Sequence, residues 1–192
     1  LGNVIDPYYL VDTYGIDQVR YFLLKEIPFG EDGNFSEQLL IDRINSDLAN
    51  NYGNLIQRVL SMLQKYNNGK IPKPDKLTDE DMTLMKLPEQ TYKMNNNKMN
   101  NYQLNVVLEN IWQIIRAANS YVDNSQPWNL YKNKNFNQLN NVLYVLINTI
   151  YKITILSQPF LPESSKKIFQ LLNQKEEASF CDIKNNIQEG LK

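Results

Sequence analysis

A chain of 192 residues, 42% hydrophobic and 11% aromatic, can bury a sizeable core as one domain or as one domain with a small appendage. Its formal net charge of −1 gives no general attraction to polyanions, so nucleic-acid binding would have to rest on a local patch. There is no histidine, which removes the commonest general base, the Ser/His and Cys/His nucleophile pairs and most zinc sites; the single thiol, Cys181, forms neither an internal disulfide nor a CxxC site and has no imidazole to activate it. That cysteine usage fits a reducing, cytoplasmic setting.

The first 35 residues differ from the rest. Asp6 and Pro7 form an N-cap and first-turn pair, Gly15 stops the short helix, and Asp17 is placed to cap a second helix through Arg20, Tyr21 and Leu24. Gly30 and Gly33 in PFGEDGNFS suit a turn or a short strand, so this segment reads as a compact α-helical module with a little extended structure. From Ser36 onward the pattern is nearly all helical. Ser36 caps a long run ending at Asn67-Asn68-Gly69, and Thr78 and Asp81 have capping-box spacing after the proline-bearing connector KIPKPDKLTDED. Pro88 is expected to kink or restart the next helix. A third long helix carries Leu104, Leu108, Ile111, Ile115, Ala118 and Val122 at alternating spacings of four and three. A fourth runs from about residue 137 to Ser157, and Pro162 begins a short last helix. The fourth holds the most apolar stretch, VLYVLINTIYKITIL, but Asn148, Thr149 and Lys152 interrupt it well short of the roughly 18 uncharged residues of a spanning helix; it reads as core, with no membrane partner. Together the stripes predict a mainly α fold, an antiparallel helical bundle over residues 36–175, followed by a tail at 176–192.

Two arrangements carry functional information. In RINSDLANNYGNLIQRVLSML, Ile41, Ile44, Leu48, Leu55, Val59 and Met62 fall on one face of an ideal helix, while Asn50, Asn54 and Arg58 form a polar row on another. Two amides and a guanidinium are the groups that pair with base edges, although the row alone reads more readily as a solvated face of an Asn-rich helix. In RAANSYVDNSQPWNLYKN, Pro127 fixes the backbone just before Trp128, which lies outside the apolar stripe and serves either as a cover for the bundle end or as a stacking platform for an unpaired base. Trp112, beside the stripe, is predicted to be core.

LGNVIDPYYLVDTYGIDQVRYFLLKEIPFGEDGNFS, DLANNYGNLIQR and AANSYVDNSQPW resemble successive segments of the bacterial methionyl-tRNA synthetase family, in order and at the family's distances, from Leu1 to about Leu172. The resemblance implies that the flexible Lys-Met-Ser-Lys-Ser loop of a class I catalytic domain lies just upstream of Leu1. It implies that residues 1–35 are a stem-contact segment joining that domain to an anticodon-binding helical bundle. It also implies that Asn54 and Arg58 hydrogen-bond anticodon bases, that Asn50 lies on the same face, and that Trp128 stacks on the first anticodon base, cytosine. The expected partners are methionine tRNA, through its CAU anticodon, and the catalytic domain. No Gly-rich or His-bearing ATP site, methionine pocket or zinc-knob cysteines occur in this chain, so it is expected to use no cofactor and to be inactive alone, ATP being used by the whole enzyme. Two alternatives stand beside this reading: the corresponding domain of another class I synthetase, which need not share Asn54, Arg58 and Trp128, and a helical protein-interaction module that buries Trp128 against a protein.

Overall fold

The computed structural model describes residues 6–33, 35–188 and 190; the opening stretch at 1–5 lies outside them. Helix follows helix, with no strand among the described residues. Helix α1 (Pro7–Tyr14) starts on Asp6, whose carboxylate accepts the Tyr8 N–H, and Pro7 brings a preset φ to the first turn. Gly15, at φ +94°, closes α1 and at the same time caps α2 (Ile16–Glu26), a conformation that glycine alone takes without strain. Because the turn is made on one residue, Asp17 already lies inside α2 and does not cap it, contrary to expectation. Its buried carboxylate instead accepts the N–H groups of Glu163 and Ser164, at 3.3 and 2.6 Å, so it caps a helix almost 150 residues away, α9 (Pro162–Leu171). Of the turn or short strand expected near Gly30 and Gly33, the structure has a turn, with the Glu31 N–H donating to the Pro28 carbonyl.

Ser36 caps α3 (Glu37–Arg43) through a bond from the Leu39 N–H to its hydroxyl. The run that follows is not one regular helix. Residues Ile44–Gly53 form a π-helix, after which α4 (Asn54–Asn67) resumes the tighter turn and ends on Asn68 in the left-handed region. In a π-helix the backbone bonds reach one residue further and each turn holds more residues, so the phase of every later side chain slips. The expected apolar face is corrected in part: Leu55 and Val59 are buried as expected, together with Leu40, Tyr52 and Leu63, whereas Ile41, Ile44, Leu48 and Met62 are only half-buried.

Helix α5 (Asp79–Asn100) begins with both bonds of the Thr78/Asp81 capping box and continues through the buried Pro88 instead of restarting there. It turns back at residues 101–103 and packs along α6 (Leu104–Ser125), whose stripe from Leu108 to Val122 is buried together with Trp112. Short α7 (Pro127–Lys132) leads into α8 (Phe136–Ser157), the central helix, which touches α4, α5, α6, α7 and α9 and is buried at every position from Val145 to Ser157. By length and composition α8 could cross a membrane, but 89% of its apolar window is covered by the bundle. Its polar interruptions are satisfied internally. Thr149 donates to the Val145 carbonyl and Asn148 to that of Tyr144, while the Asn148 oxygen accepts the buried Ile187 N–H at 2.7 Å. Lys152, sunk in the same helix, has its ammonium pushed toward neutrality by burial.

The last of those bonds shows where the tail goes. A 3-10 turn, Phe180–Lys184, lays Phe180 against Tyr92 of α5 with ring centroids 5.6 Å apart, Ile183 and Ile187 are buried in the main core, and Gln158 exchanges two bonds with Ala178. Residues 176–188 are thus part of the bundle rather than an appendage. The N-terminal segment keeps a small core of its own, Leu10, Val19, Phe22 and Leu40, but is pinned to the bundle by Asp17, by Arg20 donating to the Pro159 carbonyl at 2.7 Å, and by Lys25 paired with Glu109. Tyr21 enters the main core, stacks on Trp112 and donates to Asp47 in the π-helix at 2.8 Å.

Candidate nucleic-acid interface

The four residues singled out by sequence lie on three pieces of the scaffold: Asn50 in the π-helix, Asn54 and Arg58 in α4, and Trp128 in α7. Asn54 and Arg58 are one α-helical turn apart and share a face. Asn50 precedes Asn54 by four residues, close to one turn of either helix type, so it lies on the same side of the scaffold as Asn54 and Arg58. The side chains of Asn50 and Asn54 are exposed and form no hydrogen bond to other described residues, so both amides are free to meet a ligand.

The sequence reading missed what holds this face in place. Helix α6 presents Asn119 and Asp123, one turn apart, to the π-helix and α4. The Asn119 amide donates to both the carbonyl and the side-chain oxygen of Asn51, at 3.3 and 3.0 Å, and to its own Ile115 carbonyl at 3.2 Å. Two turns along, the Arg58 guanidinium donates to Asp123 at 2.7 Å. The only sequence signal was the one-turn spacing of Asn119 and Asp123 on the polar side of an amphipathic helix.

Trp128 follows Asp123 by five residues across a rigid corner. Gln126, at φ +45°, ends α6 in the left-handed region, buried Pro127 starts α7 with a fixed φ, and Asn129 bonds back to Gln126 through both its backbone N–H, at 2.8 Å, and its side chain, at 2.6 Å. The indole is 42% exposed. The Asp123 contact joins this corner to Arg58, and a stack of Tyr131 on Tyr66, with centroids 4.6 Å apart, joins α7 to the far end of α4. Trp112, by contrast, is 1% exposed and is core, as its place beside the stripe predicts. An exposed ring on a fixed corner, two free amides and a held guanidinium make a surface suited to unpaired bases: a stacking plane beside planar donors and acceptors.

Comparison with known proteins bears on the same segments. The family described as tRNA synthetases class I (M) matches residues 1–60, and the anticodon binding domain of methionyl tRNA ligase matches residues 71–191. The chain belongs to the methionyl-tRNA ligase family. The methionine–tRNA ligase of Thermotoga maritima is 38% identical over 185 residues, covering 96% of this chain and 29% of its own length; that of Clostridium tetani is 44% identical over 173 residues, covering 90% and 27%. Among solved structures, Mycobacterium tuberculosis methionyl-tRNA synthetase in complex with methionyl-adenylate superposes on the whole chain with a TM-score of 0.95 at 37% identity, using 38% of that protein. The chain thus spans about a third of the length of these relatives. The family match runs through the tail to residue 191, in keeping with its place in the core, and is specific to the methionyl family rather than to another class I synthetase.

Proposed function

We propose that this chain is the part of a methionine–tRNA ligase that reads the CAU anticodon of methionine tRNA. Asn54 and Arg58 face the base edges, Asn50 extends the polar surface beside them, and Trp128 stacks on the first anticodon base. Residues 1–35 follow the tRNA stem toward a catalytic domain upstream, where ATP and methionine bind. Energy from the remote anticodon contacts is used there to orient the acceptor end for methionyl transfer. The site of action is the cytoplasm. The observation that carries this reading is the half-exposed Trp128 on its locked corner, joined through Asp123 to the face that holds Asn54 and Arg58.

The test is binding of fluorescently labelled anticodon stem–loops to the 192-residue chain. A CAU loop is expected to bind well above loops with altered anticodons, and methionine-dependent ATP–pyrophosphate exchange by the chain alone is expected to be absent. Equal binding of all loops, or exchange activity, would overturn the proposal.

A further inference from the structure

Next to Trp128 the chain carries a second set of aromatic and basic groups that the anticodon reading leaves unused. From Asn124 to Pro162 the sequence contains no acidic residue, and exposed Lys132 ends α7 while exposed Lys134 stands in the loop that joins it to α8. From Leu60 to Pro74 there is again no acid, and Lys65 projects from α4 with its ammonium 5.4 Å from the Tyr66 ring centroid. The Tyr66–Tyr131 stack brings these two acid-free stretches together. Phe136 completes the set, edge-on to Tyr131 at 6.1 Å. Tyr131, in α7, and Phe136, the first residue of α8, are 44% and 49% exposed. Lys65, Lys132 and Lys134 enter no ion pair among the described residues, whereas Arg58 beside them is held by Asp123.

Each component has a physical reason to face single-stranded RNA. Exposed rings offer stacking planes to any base, and unpaired lysines offer counterion release to phosphates without reading sequence. Asp75 reaches this end of α8 through Asn137 at 3.5 Å, but the three lysines outnumber it, a local departure from the chain's net charge of −1 and the kind of patch that binding a polyanion requires. The ledge starts three residues after Trp128, so a strand whose first anticodon base lies on the indole can reach it with the unpaired nucleotides that precede the anticodon. We infer that Tyr131, Phe136, Lys65, Lys132 and Lys134 form a sequence-independent ledge that holds the unpaired nucleotides flanking the anticodon. This inference rests on the anticodon reading and adds to it a division of labour: Asn54 and Arg58 choose the sequence, and the ledge supplies affinity.

The experiment uses the 192-residue chain, as wild type, Lys132→Gln/Lys134→Gln, Phe136→Ala and Trp128→Ala, against CAU and anticodon-swapped stem–loops at several salt concentrations. The double lysine variant should weaken both loops by the same factor and reduce the slope of log affinity against log salt by about 1.4, since each single-strand phosphate contact contributes about 0.7. Phe136→Ala should cost about tenfold on both loops, with unfolding followed by circular dichroism to show that the fold is kept. Unchanged affinity and salt slope in both ledge variants, while Trp128→Ala and anticodon swaps still weaken binding, would overturn the ledge and leave the anticodon reading intact. Losses confined to the CAU loop would also overturn it, because the ledge would then be reading sequence. Absence of stem–loop binding by the wild type would overturn both.

Discussion

Asp123→Asn should make this surface a tighter binder. In the free protein the Arg58 guanidinium donates to Asp123 at 2.7 Å, with the two side chains 30% and 63% exposed. Water screens such a pair, which places it in the range of about 0.2–1 kcal/mol. Arg58 must give that up before turning to a base edge, where a bidentate contact discriminates by about 1–3 kcal/mol. Releasing it with Asp123→Asn is therefore expected to strengthen CAU stem–loop binding by about 1.4- to 5-fold. Arg58→Ala should weaken the same loop by roughly 5- to 150-fold, with much smaller losses on anticodon-swapped loops. In the double variant the Asp123 substitution should add little on the CAU loop, because its benefit acts through Arg58; any residual gain, common to all loops and shrinking with salt, is relief of carboxylate–phosphate repulsion. Fluorescence anisotropy at two salt concentrations measures all four corners. Two results would refute the reasoning. Equal losses on every loop from Arg58→Ala, with a flatter salt dependence, would make Arg58 a phosphate contact, and weaker CAU binding by Asp123→Asn would mean that the carboxylate itself accepts a base amino group.

Trp128→Ala should cost roughly 1–3 kcal/mol of stem–loop binding by titration, and because the ring is 42% exposed its effect on stability should stay within about 0.5 kcal/mol, a shift of only a degree or two in melting temperature. Asp17→Ala removes the buried acceptor for the Glu163 and Ser164 N–H groups and should destabilise the fold by about 1–3 kcal/mol in urea titration, whereas Asp17→Asn, keeping one oxygen, should lose less. Alkali should unfold the chain steeply: burial raises the phenol groups of Tyr21, Tyr52 and Tyr121 above the ordinary value of 10.0, and the carboxylates of Asp47 and Asp81 raise Tyr21 and Tyr121 further. Above pH 10 the unfolded chain releases these protons and the folded one keeps them, so the stabilisation present below pH 10 falls by about 1.4 kcal/mol per pH unit for each tyrosine, roughly 4 for the three. A stability curve flat from pH 10 to 11 would show that these phenols ionise in the folded state.

Much of the fold was legible because helix ends and stripes are local. The Thr78/Asp81 box, the Asp6-Pro7 start, the Pro162 start and the α6 stripe all depend on residues within a few positions of one another, and each appears where the periodicity puts it. What was not legible depended on distant partners. Asp17 has the residue type and position of a cap, but the helix it caps lies across the molecule. The tail carried no strong stripe, yet Ile183 and Ile187 are buried, because the bundle leaves a groove over Tyr92 and Asn148 that only the folded structure defines. The π-helix is the sharpest case. Nothing in INSDLANNYG announces an extra residue per turn, and an ideal 100° wheel therefore missed Tyr52 as the fully buried residue of this segment and gave that place to Ile44 and Leu48, which only border the cores.

That register shift changes how the candidate site is built. A four-residue step is close to one turn in either helix type, so Asn50, Asn54 and Arg58 share a side in both; what the π-turns change is which neighbours fasten the segment bearing Asn50. In the π-helical register the residue facing α6 is Asn51, which takes the Asn119 amide through both of its oxygens, and Tyr52 turns inward so that its hydroxyl meets Thr154 and Ser157 of α8 at 3.2 and 3.5 Å. Tyr21 holds the same segment from the other side through Asp47. The segment is fastened by residues that cannot themselves reach a ligand, and their neighbours Asn50 and Asn54 are left exposed with unused hydrogen-bonding groups. A surface arranged in this way spends little ordering entropy when it binds, because its backbone is already fixed and only short amides remain to be oriented. Loosening the fastening should then cost affinity without removing any contact. Asn119→Ala deletes the bonds to Asn51 but touches none of Asn50, Asn54, Arg58 or Trp128, so it is expected to weaken CAU binding several-fold while the fold persists. Wild-type affinity in that variant would mean that the register is held by the π-helix alone.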